Sequence, residues 1–195
     1  MGEEEVSPSI EQAQQYLKTW DRRPIVYMAD EALNRLFLET YPENKDVLEV
    51  TVKVCALNSL YSTRIRNMDI LSVAQHIVSL DIDSRLAKDD LTLITDITFV
   101  GNGVNRCYSF ATKYCSFHRP NAYSIYDGIV DATLWYYKKR DKFMFFQRQD
   151  MLDYVKFMNT VDRFCDYYGL GALSRKALDK YLWLLGQDLG IYKTS

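Results

Sequence analysis

The chain has 195 residues, a net charge of −2 and a hydrophobic fraction of 48%, which fits one domain, or two small helical lobes sharing a core, and excludes a disordered composition. Eight glycines and four prolines are too few for a turn-rich β protein.

In chain order, Ser9 followed by Gln12 is a capping-box pattern, and Ile10, Ala13, Tyr16, Leu17 and Trp20 recur at helical spacing. That helix is expected to stop before Pro24. Asp30 is placed to cap a second helix carrying Leu33, Leu36, Phe37 and Tyr41, which Pro42 ends. Residues 47–61 are apolar on most sides and rich in β-branched residues, yet long and without a turn signal, which favours a buried helix over a strand. Further helices are expected over 68–80 and over 83–97, the latter capped by Asp83. Gly101, Asn102 and Gly103 break the pattern. Helices then fit 104–117, 128–140, 150–168 and 174–188, with Gly169 and Gly171 ending the third of these and Ser174 capping the last. The expectation is an all-α protein of about nine helices, read as a single domain over 1–195.

Residues 1–100 carry 10 Lys and Arg against 17 Asp and Glu, whereas 101–148 carry eight basic against three acidic residues, a local excess of +5. Such a segment suits a polyanion on an otherwise acidic molecule, or is a helix end at Lys138–Lys142 interacting with its own dipole. The acidic start, Met1 to Glu5, lacks the basic region of a signal peptide, and no run reaches about 18 apolar residues. A cytoplasmic protein without a membrane partner is therefore expected. Cys55, Cys107, Cys115 and Cys165 form no CxxC pair, so they are read as reduced thiols, with no metal or cofactor expected. His76 reads as a core or boundary residue, and His118 as a helix-end histidine beside Arg119.

One stretch stands apart. The helix-forming "SFATKYCSFH" runs through Arg119 and Pro120 into the extended "NAYSIYD", and a new helix starts at Asp127. Asp is among the best N-caps. With the preceding "VGNGVNR" and the buried "VKVCALNSLYSTRI", the order resembles the helix-hairpin-helix DNA glycosylase superfamily, which includes endonuclease III and the 8-oxoguanine glycosylases. The resemblance spans roughly residues 47–140, with helices 9–41 and 150–188 packed against that core.

The resemblance implies that Asp127 is the catalytic aspartate, that DNA is the partner, and that Gly101 and Gly103 belong to the hairpin. Asn58, Tyr61, Tyr123 and Tyr126 are then candidates to line a pocket for a flipped base. Backbone amides at the glycines would hold a phosphate, with Asn105, Arg106, Lys113, His118 and Arg119 completing a nucleic-acid surface. Asn105 stands where bifunctional members carry a lysine, and Lys113, two turns further on, is not expected to reach that point. The implied chemistry is thus hydrolysis by an aspartate without a lysine nucleophile. The last third contains only Cys165, so no iron–sulfur cluster is implied. The alternative is a catalytically silent helical module that binds nucleic acid or protein.

Overall fold

A computed structural model describes residues 7–100 and 105–191, the side chains of Asn105 and Arg106 excepted. The described residues form ten α-helices and one two-rung antiparallel ladder, Phe99–Val100 against Asn105–Arg106. The protein is all-α. None of its described helices is long and apolar enough to cross a membrane.

Ser9 caps α1 (Ile10–Trp20), its hydroxyl accepting the Gln12 amide at 3.2 Å. α2 is Pro24–Arg35 and continues into a wider π-type turn, Leu36–Thr40. Pro24 thus opens the helix, because a proline at the first position sacrifices only an amide that has no intrahelical partner. Asp30, expected as a cap, sits mid-helix and buried.

α3 (Val47–Tyr61) is capped by Asp46 and closes on Ser62 in the left-handed region, φ 49°. α4 (Ile70–Ser79) packs along α3. The single helix expected over 83–97 is two short ones, α5 (Ile82–Leu86) and α6 (Leu93–Thr98). The break passes through Asp89 at φ 53° and is tied by Arg85, which reaches Asp90 at 2.8 Å and Asp96 at 2.7 Å. Asp83 is not a cap either: its carboxylate accepts the backbone amide and side-chain amide of Asn44.

α7 (Tyr108–His118) runs through the centre of the molecule, with every residue from Phe110 to His118 buried. α8 is Gly128–Asp141, α9 is Tyr154–Tyr167, and α10 is Arg175–Asp188 with Ser174 as its cap. α10 packs between α8 and α1, which brings the two ends of the described chain together. Trp20 of α1 meets Trp183 of α10 edge-to-face at 5.6 Å, and Arg23 donates to Gln187 at 2.8 Å. One cluster of buried apolar side chains extends from Ala13 to Leu185.

Candidate active site

The extended segment between α7 and α8 is pinned almost residue by residue. Tyr123 donates its hydroxyl to the Asp90 carbonyl at 3.0 Å, and the Ser124 carbonyl accepts from Tyr154 at 2.9 Å. The Ile125 amide donates to Asp179 Oδ2 at 3.0 Å. α7 then grips the next peptide. The Tyr126 amide donates to Thr112 Oγ1 at 3.1 Å, and its carbonyl accepts from Ser109 Oγ at 3.0 Å and Lys113 Nζ at 3.5 Å. Asp127 follows with extended dihedrals and caps α8. Its Oδ1 accepts both the Ile129 and Val130 amides at 2.9 Å, which leaves Oδ2 outside the cap.

Asp127 faces a cavity of about 570 Å³ enclosed by α2, the end of α3, α7, the start of α8, and α10. Lys113 lines the same cavity. Ser109 and Lys113 stand one turn apart on α7, and Nζ donates to Ser109 Oγ at 2.6 Å. Burial lowers the Lys113 amine below its ordinary pKa, opposed by the nearby charges of Asp127 and Asp179.

A second charged group closes the far side. Asp30 of α2 pairs with Lys176 at 3.0 Å and Lys180 at 2.7 Å, both on α10, and accepts the Tyr61 hydroxyl at 3.0 Å. Burial raises the Asp30 pKa, but the two lysines outweigh it and hold the carboxyl below its usual range. Asp179, also on α10, is pushed up to about 7 by burial, against the Ile125 amide and Lys176. Trp20, Tyr61 and Trp183 supply aromatic wall.

The other sequence candidates lie elsewhere. Tyr123 is fully buried and nearly parallel to Tyr154 at 6.1 Å, in the core behind the cavity. The Tyr126 ring packs on Tyr108 and Phe157, so this residue serves the site through its backbone. Asn58 spends its side chain on the rim loop: Oδ1 accepts from Thr63 and the Ile65 amide, and Nδ2 donates to the Ile65 carbonyl. His118 is buried, with Nε2 3.1 Å from Asn44 Oδ1 and 3.4 Å from Lys53 Nζ. A helix-end histidine was expected to meet a nucleic acid or its own carbonyls, but burial has taken it inward. Arg119 pairs with Asp89 at 2.9 Å. Gly101 and Gly103 lie outside the described residues, as do the side chains of Asn105 and Arg106.

The basic excess over 101–148 is not one continuous face. Lys113 is inside the cavity, Arg140 pairs with Asp141, Arg148 pairs with Asp131, and Lys138 lies 4.2 Å from the Trp135 ring centre.

Residues 12–122 match the family described as HI_0787_N, N-terminal domain. The chain belongs to the HI_0787_N family. The HI_0787_N segment contains Trp20, Asp30, Tyr61, Ser109 and Lys113, whereas Asp127 and α10 lie beyond it. The chain is similar to a protein of Haemophilus influenzae described as uncharacterized, 41% identical over 135 residues. That match covers 68% of this chain and 63% of the relative, less than two thirds of the relative's own length. No solved structure matches the chain.

The cavity residues that sequence reasoning missed are Trp20 and Asp30 in the HI_0787_N segment and the α10 set Lys176, Asp179, Lys180 and Trp183. The α10 set falls at i, i+3, i+4 and i+7, one face of a helix. That spacing was readable. Its partner, Asp30, lies 146 positions away and ties to it only through the fold.

Proposed function

We propose that the cavity is the active site of a DNA base-excision enzyme of the glycosylase type, which admits a base turned out of the duplex and breaks its N-glycosidic bond. The observation that carries this reading is the placement of Asp127 and Lys113 on one cavity walled by Trp20, Tyr61 and Trp183. Bond cleavage builds positive charge on the sugar, and a carboxylate held in place before the reaction stabilises that charge at no reorganisation cost. Asp127 is held in that way by two amides on Oδ1, and Oδ2 is left to face the sugar or to take a proton from water. Aromatic walls receive the unstacked base.

A second reading of the same site rests on Lys113. A buried amine with a lowered pKa is a competent nucleophile. Its lone pair would form a bond to C1′ while the glycosidic pair leaves with the base, which takes up a proton. The amine would then lose a proton, and its lone pair would form the C1′=N bond while the C1′–O4′ bond breaks with its electron pair on O4′, which takes up a proton and leaves a protonated imine. The two readings share Asp127 and differ in the attacking atom.

Duplexes carrying a panel of damaged or deaminated bases test both. The wild type is expected to release a base, and Asp127→Asn to lower the rate by about 10²–10³. Borohydride added during turnover traps an imine: a covalent protein–DNA adduct that disappears in Lys113→Gln assigns the lysine, and release without an adduct assigns water. No base release from any duplex, together with affinity for DNA that falls as salt rises, would instead favour a silent binding module.

A further inference from the structure

The loop that follows α3 holds two left-handed residues, neither of them glycine. Ser62 has φ 49° and Arg64 has φ 64°, a conformation in which the Cβ of an L residue is crowded and which glycine adopts freely. Asn58, on the last turn of α3, keeps the loop in it. Its Oδ1 accepts the Thr63 hydroxyl at 2.8 Å and the Ile65 amide at 2.9 Å, and its Nδ2 donates to the Ile65 carbonyl at 2.9 Å. The residues on both sides of Arg64 are thereby fixed. Backbone strain persists only where surrounding bonds over-determine it, and here those bonds set the place of one arginine.

Ser62, Thr63 and Arg64 all line the cavity that Asp127 faces. Arg64 is exposed, so its side chain stands at the mouth. The lysines of the same wall are already engaged: Lys176 and Lys180 pair with Asp30, and Lys113 donates to Ser109. Arg66, two positions on, is spent on Asp69 at 2.6 Å. The Arg64 guanidinium makes no hydrogen bond or ion pair among the described residues. Ile25 and Leu60, exposed on the same wall, are apolar. A free cation is therefore held at the entrance. A guanidinium presents donors in a planar fork that fits two oxygens of one phosphate. When a base turns out of a duplex into a cavity, the base goes in and the phosphates flanking its sugar stay at the entrance.

We infer that Arg64 grips a backbone phosphate of the strand whose base enters the cavity, and that Asn58 is the positioning residue that holds Arg64 there. The inference rests on the reading that a DNA base enters this cavity, and it adds the contact that seats the strand at the mouth. Arg64 touches neither the base nor the bond that breaks, so it contributes affinity and no sequence preference.

The test is equilibrium binding of the full chain to a duplex carrying a tetrahydrofuran abasic-site analogue, followed by fluorescence anisotropy. Between about 50 and 250 mM salt, Arg64→Gln should lose about 0.9 of the slope of log affinity against log salt, and at about 100 mM its affinity should fall about eightfold. Arg64→Lys keeps the charge and should keep the slope. Methylphosphonates in place of the phosphates flanking the analogue should make wild type and Arg64→Gln bind alike. Asn58→Ala should lose the same slope, and should cost no further affinity when added to Arg64→Gln. Thr63→Val, which removes one of the three bonds to Asn58, should show part of that loss. Unchanged slope in Arg64→Gln would overturn the inference while leaving the DNA reading intact, as would a difference that survives the methylphosphonates. Lower urea stability without a change of slope in both Asn58→Ala and Thr63→Val would overturn the positioning role. An Arg64-dependent slope without base release from any duplex would defeat the excision reading alone, and no affinity for the duplex would overturn both.

Discussion

At the scale of single residues, Asp127 has two separable jobs. As a cap it satisfies two amides of the first turn of α8. Asn caps nearly as well as Asp, whereas Ala does not. Asp127→Ala should therefore lower stability by about 1 kcal/mol, and Asp127→Asn by only a few tenths, in urea titrations. Both should lose base release if the carboxylate acts in catalysis, so a large activity loss in a variant of wild-type stability separates the two roles.

His118 gives a prediction in pH. Burial, reinforced by the charge of Lys53, lowers its pKa from an ordinary 6.5 to about 3. The folded chain keeps this ring neutral, whereas the unfolded chain protonates it below about 6.5. The stability it contributes is therefore complete above pH 6.5 and is lost progressively as pH falls towards 3. Asp179, raised to about 7, acts with the opposite sign: between its ordinary 3.8 and 7 the folded state holds the extra proton, so its ionisation costs stability as pH rises. The difference between wild type and His118→Gln isolates the histidine. The variant should lose less stability than wild type between pH 7 and 4.5 in chemical denaturation, and parallel losses would contradict the buried neutral ring.

At the scale of elements, the site depends on how closely α8 approaches α10. Gly186 of α10 lies where a β-carbon would run into the Thr133 hydroxyl and the Ile129 side chain of α8. The added methyl cannot be absorbed by a flexible chain end, because both side chains are β-branched and sit on a packed helix. Gly186→Ala should cost about 1–3 kcal/mol in thermal or urea unfolding. By moving α10 against α8 it should also misplace Asp179 relative to Ile125. An unchanged melting temperature would show that the two helices are less tightly seated.

Element boundaries were legible where local chemistry sets them. α3 follows from the length of its apolar run, and α8 at Asp127 and α10 at Ser174 follow from their cap residues. The break between α5 and α6 was not legible. The chain there turns through a left-handed Asp89 that no glycine marks, and the arginine ties that hold it span 5 and 11 positions. α7 shows little periodicity because it is buried on all sides, so the sequence could not say which of its residues would face a cavity.

At the scale of the whole molecule, the cavity is closed by a charge cluster joining α2 to α10. Asp30 is 1% exposed and meets two lysines. Removing one partner from a buried cluster leaves uncompensated charge, which costs more than the cluster itself contributes. Asp30→Asn should destabilise the protein by about 3 kcal/mol, read by urea titration, with a larger relative loss at low ionic strength. A neutral result would mean that the two lysines find water in place of the carboxylate.

The sequence by itself determined the helical class, the starts of α1, α3, α8 and α10, and the delivery of Asp127 by an extended segment into a helix cap. These rest on side chains bonding to backbone a few positions away, so neighbouring residues suffice. Only the tertiary structure decided which residues share the cavity. It drew in Lys113, Asp30, Trp20 and α10, and it placed Tyr123, the Tyr126 ring and His118 outside it. The reason is that burial and long-range charge pairing depend on how helices from opposite ends of the chain pack. The pairing of Asp30 with Lys176 and Lys180 exists only once α10 has docked.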